Sequence, residues 1–231
     1  DDNFKSIVNG VLEGRVAYAN IRKITYFLVS CGLAEVLFFS LSIMFDLPMP
    51  LVAIQLLWLN VVTDGLQDIS LSFEPAETNI MQEKPRDPKE SLFDKQLLTE
   101  ILVAGLSIGL IVFGVWAYLI NVLNFETTLA RGYVMALMII IQNIHAFNCR
   151  SEKQSIFKMP IANNPIFLFA VLGSLFLGVA VIEIDFLNVF LKTSHIPAIH
   201  LLGLFCIGFI ILVIITTCTA IKSIRKSRRL E

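Results

Sequence analysis

Three polar residues stand close together in an otherwise apolar stretch and could coordinate a cation. Asn60, Thr63 and Asp64 are spaced at i, i+3 and i+4, so a helix would present their oxygens on one face. Glu35 lies at the midpoint of the preceding apolar stretch, and Gln142 lies near the middle of a later one. Carboxylate, amide and hydroxyl oxygens are the ligands that bind hard cations such as Ca2+. The pattern therefore predicts a cation site at one depth, built from three helices.

A purely structural role is the alternative for these polar groups. They could hydrogen-bond neighbouring helices together, and for Asn60 or Thr63 alone this interpretation is favoured. An ionisable side chain inside a bilayer costs several kcal/mol, however, so the matched depth of Glu35 and Asp64 favours a shared ligand. Gly65 follows directly, and a glycine there would let the helix loosen so that backbone carbonyls can join the site.

Other residues with possible metal chemistry receive different interpretations. Asp68 lies one turn beyond Asp64 and less deep in the same stretch, so it is a further candidate ligand. His145 lies alone near the end of its stretch, which is typical of a hydrogen-bonded packing residue. The four cysteines lack paired metal-ligand spacing and are interpreted as small apolar fillers; they are Cys31, Cys149, Cys206 and Cys218.

Membrane helices are the elements that must position these residues. Of the 231 residues, 56% are hydrophobic and only 16% are charged, whereas an ordinary soluble domain is about 25% charged. A hydrocarbon core of about 30 Å requires roughly 20 apolar residues in a helix. The sequence predicts an all-α membrane protein, a bundle of six transmembrane helices near residues 24–45, 51–72, 99–120, 133–149, 165–184 and 201–221.

Positive charges predict the orientation of this bundle. Cytoplasmic segments carry the excess of Lys and Arg, and all but Arg131 and Lys192 of the 18 Lys and Arg residues fall on one side of the predicted membrane. Both termini are therefore expected in the cytoplasm. We expect residues 1–23, which carry no signal-peptide pattern, to form a stalk helix that continues into the first span. Residues 222–231 are expected to form a basic cytoplasmic tail.

No catalytic motif accompanies the candidate ligands. The sequence contains no HExxH, no glycine-rich phosphate loop and no nucleophile elbow, so it predicts no catalytic residue in this chain. The net charge is only −1, which gives no indication of a nucleic-acid partner. The lipid bilayer is the partner that the composition predicts.

Several segments resemble the Ca2+-pump branch of the P-type cation-transporting ATPases. Residues 1–4, which read DDNF, and residues 13–15, which read EGR, resemble the hinge before the fifth membrane helix of these pumps. The segment Gln55–Leu66 reads QLLWLNVVTDGL and is similar to their sixth-helix pattern QLLWxNLVTDGL. Phe73-Glu74-Pro75 resembles the end of that sixth helix. The loop after the eighth helix of these pumps is resembled by Glu152-Lys153-Gln154-Ser155 together with Met159-Pro160. The resemblance covers essentially the whole chain.

The resemblance implies that the chain is the C-terminal part of a pump's membrane domain. It would contain the fifth to tenth membrane helices of an enzyme that couples ATP hydrolysis to cation transport, with Ca2+ efflux across a bacterial cell membrane as the expected process. The implied partners are the fourth helix and the phosphorylation, nucleotide-binding and actuator domains, which precede this region in the family. Mg2+ and ATP would bind only to those domains, so this region alone is not expected to pump.

Most of the family's ion ligands fall on matching residues. Its fifth-helix carboxylate falls on Glu35, and its sixth-helix trio falls on Asn60, Thr63 and Asp64. Two positions depart from the Ca2+-pump pattern, because Gly32 replaces an asparagine and Gln142 replaces a glutamate. The loss of an amide oxygen and a charge predicts a single bound Ca2+, or another ion.

A third departure adds a charge. Gln67-Asp68 stands where the Ca2+ pump reads Pro-Ala, so Asp68 contributes a carboxylate one turn from Asp64 that could receive ions. The residues alone also leave open a self-contained six-helix secondary cation transporter or channel, and a purely structural anchor. The resemblance favours the pump, with Mn2+ or a monovalent cation as the alternative cargo.

Overall fold

Long apolar stretches of the chain form helices. The computed structural model describes residues 4–77, 80–82, 85, 91–151 and 160–227. Within these residues it contains no strands. The helices are α1 (Phe4–Met44), α2 (Ala53–Trp58), a π-helical segment (Leu59–Asp64), α3 (Gly65–Ser72), α4 (Lys95–Asn121), α5 (Thr127–Cys149), α6 (Pro165–Glu183), α7 (Asp185–Leu191) and α8 (Ala198–Ser227), with single 3-10 turns at Ile80–Gln82 and Ile161–Asn163. The predicted all-α bundle is confirmed.

Five helices within the described residues are long and apolar enough to cross a membrane. They are Phe4–Met44, Lys95–Asn121, Thr127–Cys149, Pro165–Glu183 and, within α8, Ala198–Ile215. The remaining predicted span, residues 51–72, is divided between α2, the π-helical segment and α3. It is a sixth possible span, and its π-helical segment lies at the candidate ligands.

Side-chain caps define where two helices begin. The Asp94 carboxylate accepts a hydrogen bond from the backbone N–H of Leu97 at the start of α4, at 2.7 Å. The Asn164 side-chain oxygen accepts one from Phe167 N–H at the start of α6, at 2.9 Å. Such caps satisfy N–H groups that have no partner within the helix and contribute about 1 kcal/mol each.

Small residues bring α4 directly against α1. A Cβ atom on Gly109 would lie 2.9 Å from the backbone oxygen of Ala34, and one on Gly105 would lie 2.8 Å from a Leu33 methyl group. Only glycine permits this approach, which is typical of helix contacts in membranes. Helix α4 therefore packs against α1 at Ala34, the residue directly before Glu35.

A buried polar cluster joins four segments at one end of the bundle. Arg150 Nε donates to Glu74 Oε1 at 2.7 Å, and Asn164 Nδ2 donates to Glu74 Oε2 at 2.7 Å. Asn20 of α1 donates to the backbone oxygen of Glu74 at 2.8 Å, and Lys23 lies 3.3 Å from Glu77. This set is called the Glu74 cluster below. It holds α1, the end of α3, α5 and α6 together.

Some sequence-based predictions lie outside the described residues. These are the first residues of the stalk, the end of the basic tail and most of the loop motif, namely residues 1–3, 228–231 and 152–159. Which helical residues lie within the bilayer remains a prediction.

Candidate cation-binding site

Three helical elements bring four of the predicted ligands together. Asn60 Nδ2, in the π-helical segment, lies 3.4 Å from Glu35 Oε2 of α1. Gln142 Nε2 of α5 lies 3.5 Å from Asp64 Oδ2. The predicted ligands therefore meet in two pairs, Glu35 with Asn60 and Asp64 with Gln142. The contacts are long for hydrogen bonds, whose donor–acceptor distances are usually about 2.9 Å.

Buried oxygens without hydrogen-bond partners concentrate at this position. Within the part of the chain that the structure describes, five such atoms belong to predicted site residues: Glu35 Oε1, Thr63 Oγ1, Asp64 Oδ1, Asp68 Oδ1 and Gln142 Oε1. Most buried polar atoms in proteins are hydrogen-bonded, since leaving one unpaired costs free energy. A group of acceptors with spare capacity is what a cation ligand set requires.

The π-helical segment changes how the sixth-span residues are presented. The backbone N–H of Gly65 bonds to the carbonyl of Asn60, five residues back, instead of the fourth residue back as in an α-helix. The helix is thus widened, as the glycine suggested, but it is not broken, and the Asn60 carbonyl is engaged. Thr63 and Asp64 are buried in the bundle, whereas Asn60 is exposed at its edge.

One side of the site is open in this chain. Glu35 is half-buried, and next to Asn60 the side chains of Leu57 and Val61 are 57% and 61% exposed. Asp64 is only 2% exposed and Gln142 only 1%. The predicted ligands are therefore buried on the side of α5 and exposed on the side of Asn60.

The carboxylates do not complete a metal site by themselves. Among the described residues, no group of three or more His, Cys, Asp or Glu side chains lies close enough together to hold a metal ion. Any cation held here would need the amide and hydroxyl oxygens as well.

His145 has the packing role expected from the sequence. Its Nε2 lies 2.6 Å from the Ser30 hydroxyl, and its ring contacts the rings of Tyr26 and Phe27. The side chain is fully buried. His145 contacts α1 and does not belong to the group of candidate ligands.

Sequence reasoning missed a second polar group beside the site. Gln67, Asn143 and Ser174 are buried and hydrogen-bonded to one another across α3, α5 and α6. The available signal was the position of Gln67, three residues after Asp64, and of Asn143, directly after Gln142. Nothing in either spacing shows that the two side chains meet.

The comparisons with known proteins identify related sequences over most of the chain. Residues 48–221 match the family model described as "Cation transporting ATPase, C-terminus". A "Calcium-transporting ATPase" of Bacillus subtilis (strain 168) is 38% identical over 184 residues, which cover 79% of this chain and 20% of that protein.

Two other relatives align with nearly the whole chain. "Calcium-transporting ATPase 1" of Bacillus cereus (strain ATCC 10987 / NRS 248) is 34% identical over 99% of this chain and 27% of its own length. "Calcium-transporting ATPase type 2C member 1" of Homo sapiens is 31% identical over 99% of this chain and 24% of its own length. The chain spans between 20% and 27% of the length of these relatives.

Proposed function

Because the chain belongs to the cation-transporting ATPase family as its C-terminal membrane region, we propose that it supplies ion ligands to an ATP-driven Ca2+ pump. The five buried oxygens without hydrogen-bond partners carry this proposal. The names of the relatives support Ca2+ as the cargo. Mn2+ or a monovalent cation is the alternative cargo, and the comparisons do not favour a self-contained secondary transporter or channel.

Each ligand has a separate part in binding. The carboxylates of Glu35 and Asp64 supply negative charge, and the side-chain oxygens of Thr63, Asn60 and Gln142 replace water without adding charge. Ca2+ takes about 6–8 oxygen ligands, and Gln142 is placed to contribute Oε1, since its Nε2 faces Asp64. Asp68 is a supplementary carboxylate one turn away.

The open side of the site supports a partner within the same pump. Asn60 and its exposed apolar neighbours leave room for further ligands beside Glu35. We propose that the fourth membrane helix covers this side and completes the ion's coordination. The phosphorylation, nucleotide-binding and actuator domains of the parent protein would bind ATP and Mg2+ and drive transport.

The membrane context follows from the helices. The chain has the apolar helices of a multi-pass membrane region, and the two Bacillus relatives support a bacterial cell membrane. The distribution of Lys and Arg supports a cytoplasmic position for both termini, with α1 extending into the cytoplasm as the stalk.

One bound Ca2+ per cycle is the proposed stoichiometry. Gly32 offers no side-chain oxygen, and Gln142 offers no charge at the other departing position. Two divalent ions carry four positive charges, whereas the carboxylates of Glu35, Asp64 and Asp68 carry three negative charges at most. Two such ions at adjacent sites would therefore repel each other in a medium of low dielectric constant.

Cation-dependent activity of the full-length parent protein tests the proposal. ATPase activity and phosphorylation from ATP would be measured with Mg2+ present throughout and with Ca2+, Mn2+, Na+ or K+ added. We expect Ca2+ to stimulate both activities at a lower concentration than any of the other added cations. The Asp64→Asn variant should lose this stimulation. Stimulation only by Mn2+ or by a monovalent cation would overturn the Ca2+ assignment, and no stimulation by any cation would overturn the pump.

A further inference from the structure

Three buried polar side chains form a continuous connection across α3, α5 and α6. Gln67 Nε2 donates to Asn143 Oδ1 at 2.7 Å, and Asn143 Nδ2 donates to Ser174 Oγ at 2.9 Å. The same Asn143 nitrogen donates to the backbone oxygen of Ile139 at 2.7 Å. These three residues are called the polar brace below.

The polar brace is internally satisfied. None of the side-chain nitrogen or oxygen atoms of Gln67, Asn143 and Ser174 is among the buried atoms that lack a hydrogen-bond partner within the described residues. Ser70 Oγ, one turn along α3, supplies a long contact to Gln67 Oε1 at 3.5 Å. A buried network of this kind rigidifies its helices when every group is paired.

The brace joins the same two helical regions that carry two of the proposed ligands. Gln67 lies three residues after Asp64, and Asn143 directly follows Gln142. On α5 consecutive side chains diverge by about 100°, so Gln142 faces the site while Asn143 faces Gln67 and Ser174. The two regions are thus linked twice, at 2.7 Å in the brace and at 3.5 Å between Gln142 and Asp64.

The Gln67–Asn143 hydrogen bond has the geometry to determine the separation of Asp64 and Gln142. The Asp64–Gln142 contact is too long to fix its own separation, whereas the Gln67–Asn143 bond has a normal length. A rise of 1.5 Å per residue puts Gln67 about 4.5 Å along the helix axis from Asp64. Movement of α3 against α5 at the brace would therefore displace Asp64 from Gln142.

We infer that Gln67 and Asn143 are positioning residues for the cation site, with Ser174 fixing the orientation of Asn143. They do not contact the ion. They hold the Asp64 carboxylate and the Gln142 amide oxygen at the separation that ion binding requires. This inference rests on the proposed function, since it concerns the affinity of the same site.

Calcium titrations of the full-length pump test the inference. The half-saturating free Ca2+ concentration and the maximal rate of phosphorylation would be measured for Gln67→Met, Asn143→Leu and the double variant. Each single variant should raise the half-saturating concentration about tenfold, equivalent to about 1.4 kcal/mol, with the maximal rate at saturating Ca2+ within about twofold. The half-saturating Ca2+ concentration of the double variant should not exceed that of the more affected single variant, because both changes break the same hydrogen bond.

Gln55→Met is the matched control. Gln55 is also a buried glutamine that bonds between segments, with Nε2 donating to the backbone oxygen of Leu191 at 3.0 Å, but it lies before the π-helical segment and away from the brace. Its replacement should leave the half-saturating Ca2+ concentration unchanged. An increase equal to that of Gln67→Met would show a general effect of lost helix contacts and would overturn the inference.

A smaller change covers the case in which the larger replacements do not fold. Ser174→Ala removes only the far end of the brace and should raise the half-saturating concentration about threefold. Unchanged Ca2+ affinity in this variant, or a lower maximal rate with unchanged affinity in any of them, would show that the brace is structural only. Asp64→Asn separates the two proposals: if it abolishes Ca2+ activation while the brace variants behave as wild type, only the inference fails, and if it retains activation, the proposed function fails.

Discussion

Two buried carboxylates in this chain have opposite surroundings. Glu74 is 1% exposed and Asp64 is 2% exposed. Glu74 accepts from Arg150 and Asn164, each at 2.7 Å. Asp64 accepts only the 3.5 Å contact from Gln142, and within the described residues no Lys or Arg side chain forms an ion pair with it. The described residues supply a counter-charge for Glu74 and none for Asp64.

This difference supports the proposed cation site. A buried carboxylate is tolerated when it is paired and hydrogen-bonded. Asp64 has no positively charged partner among the described residues, and a bound cation would supply the charge that it lacks. The polar brace sharpens the contrast, because it lies one turn away and its groups are paired at normal distances. Among the described polar groups of α3 and α5, the buried oxygens without hydrogen-bond partners therefore belong to proposed ligands, namely Asp68 and Gln142.

The largest expected effect is that of Asp64→Asn in the full-length parent protein. Removing the charge of this proposed ligand from a site of low dielectric constant should abolish cation-activated phosphorylation at any accessible Ca2+ concentration, a loss of affinity of at least about 100-fold. Phosphorylation from radiolabelled ATP across a Ca2+ titration measures it. Wild-type affinity in this variant would place the ion elsewhere.

Glu74→Gln should affect stability and leave ion affinity intact. The change leaves Arg150 buried without its counter-charge, which costs about 3–5 kcal/mol. Thermal unfolding in detergent should shift to lower temperature, while the half-saturating Ca2+ concentration of folded protein should change less than about threefold.

A double variant provides the control for the ion pair. Glu74→Gln with Arg150→Met removes both charges and should recover much of the lost stability, since no unpaired charge remains. Loss of Ca2+ affinity in Glu74→Gln equal to that in Asp64→Asn would erase the contrast between the two carboxylates.

The sequence was sufficient for the parts of the structure that follow from composition. Apolar length predicted the helical bundle, and the cost of ionisable groups in a bilayer singled out Glu35 and Asp64. The π-helical turn at Leu59–Asp64 could not be predicted, because a choice between bonding to the fourth or fifth preceding carbonyl depends on packing against α1 and α5. The same holds for Asn143 and Ser174, which look like ordinary helix contacts until their distance is known.

The stoichiometry gives a smaller and more graded prediction. With Gly32 and Gln142 in place of two ligands of the Ca2+-pump pattern, activation by Ca2+ should have a Hill coefficient of about one, because a single site cannot bind cooperatively. Equilibrium binding of radioactive Ca2+ should give about one ion per phosphorylation site. Clear cooperativity with two ions per phosphoenzyme would contradict the single site, and would require ligands from the open side beside Asn60.

The smallest expected effect is that of Asp68→Asn. Asp68 lies four residues from Asp64, about 6 Å along the helix axis, and its buried Oδ1 has no hydrogen-bond partner within the described residues. Asp68 is less buried than Asp64, so it can attract ions towards the site without closing around them. The variant should slow Ca2+ association and lower the apparent affinity by about three- to tenfold while the maximal rate is largely retained, as measured by stopped-flow binding and by ATPase titration. Unchanged affinity would make Asp68 a tolerated charge at the end of the span. Complete inactivity would place it among the ligands, and the unpaired carboxylates that contrast with Glu74 would then include Asp68 as well as Asp64.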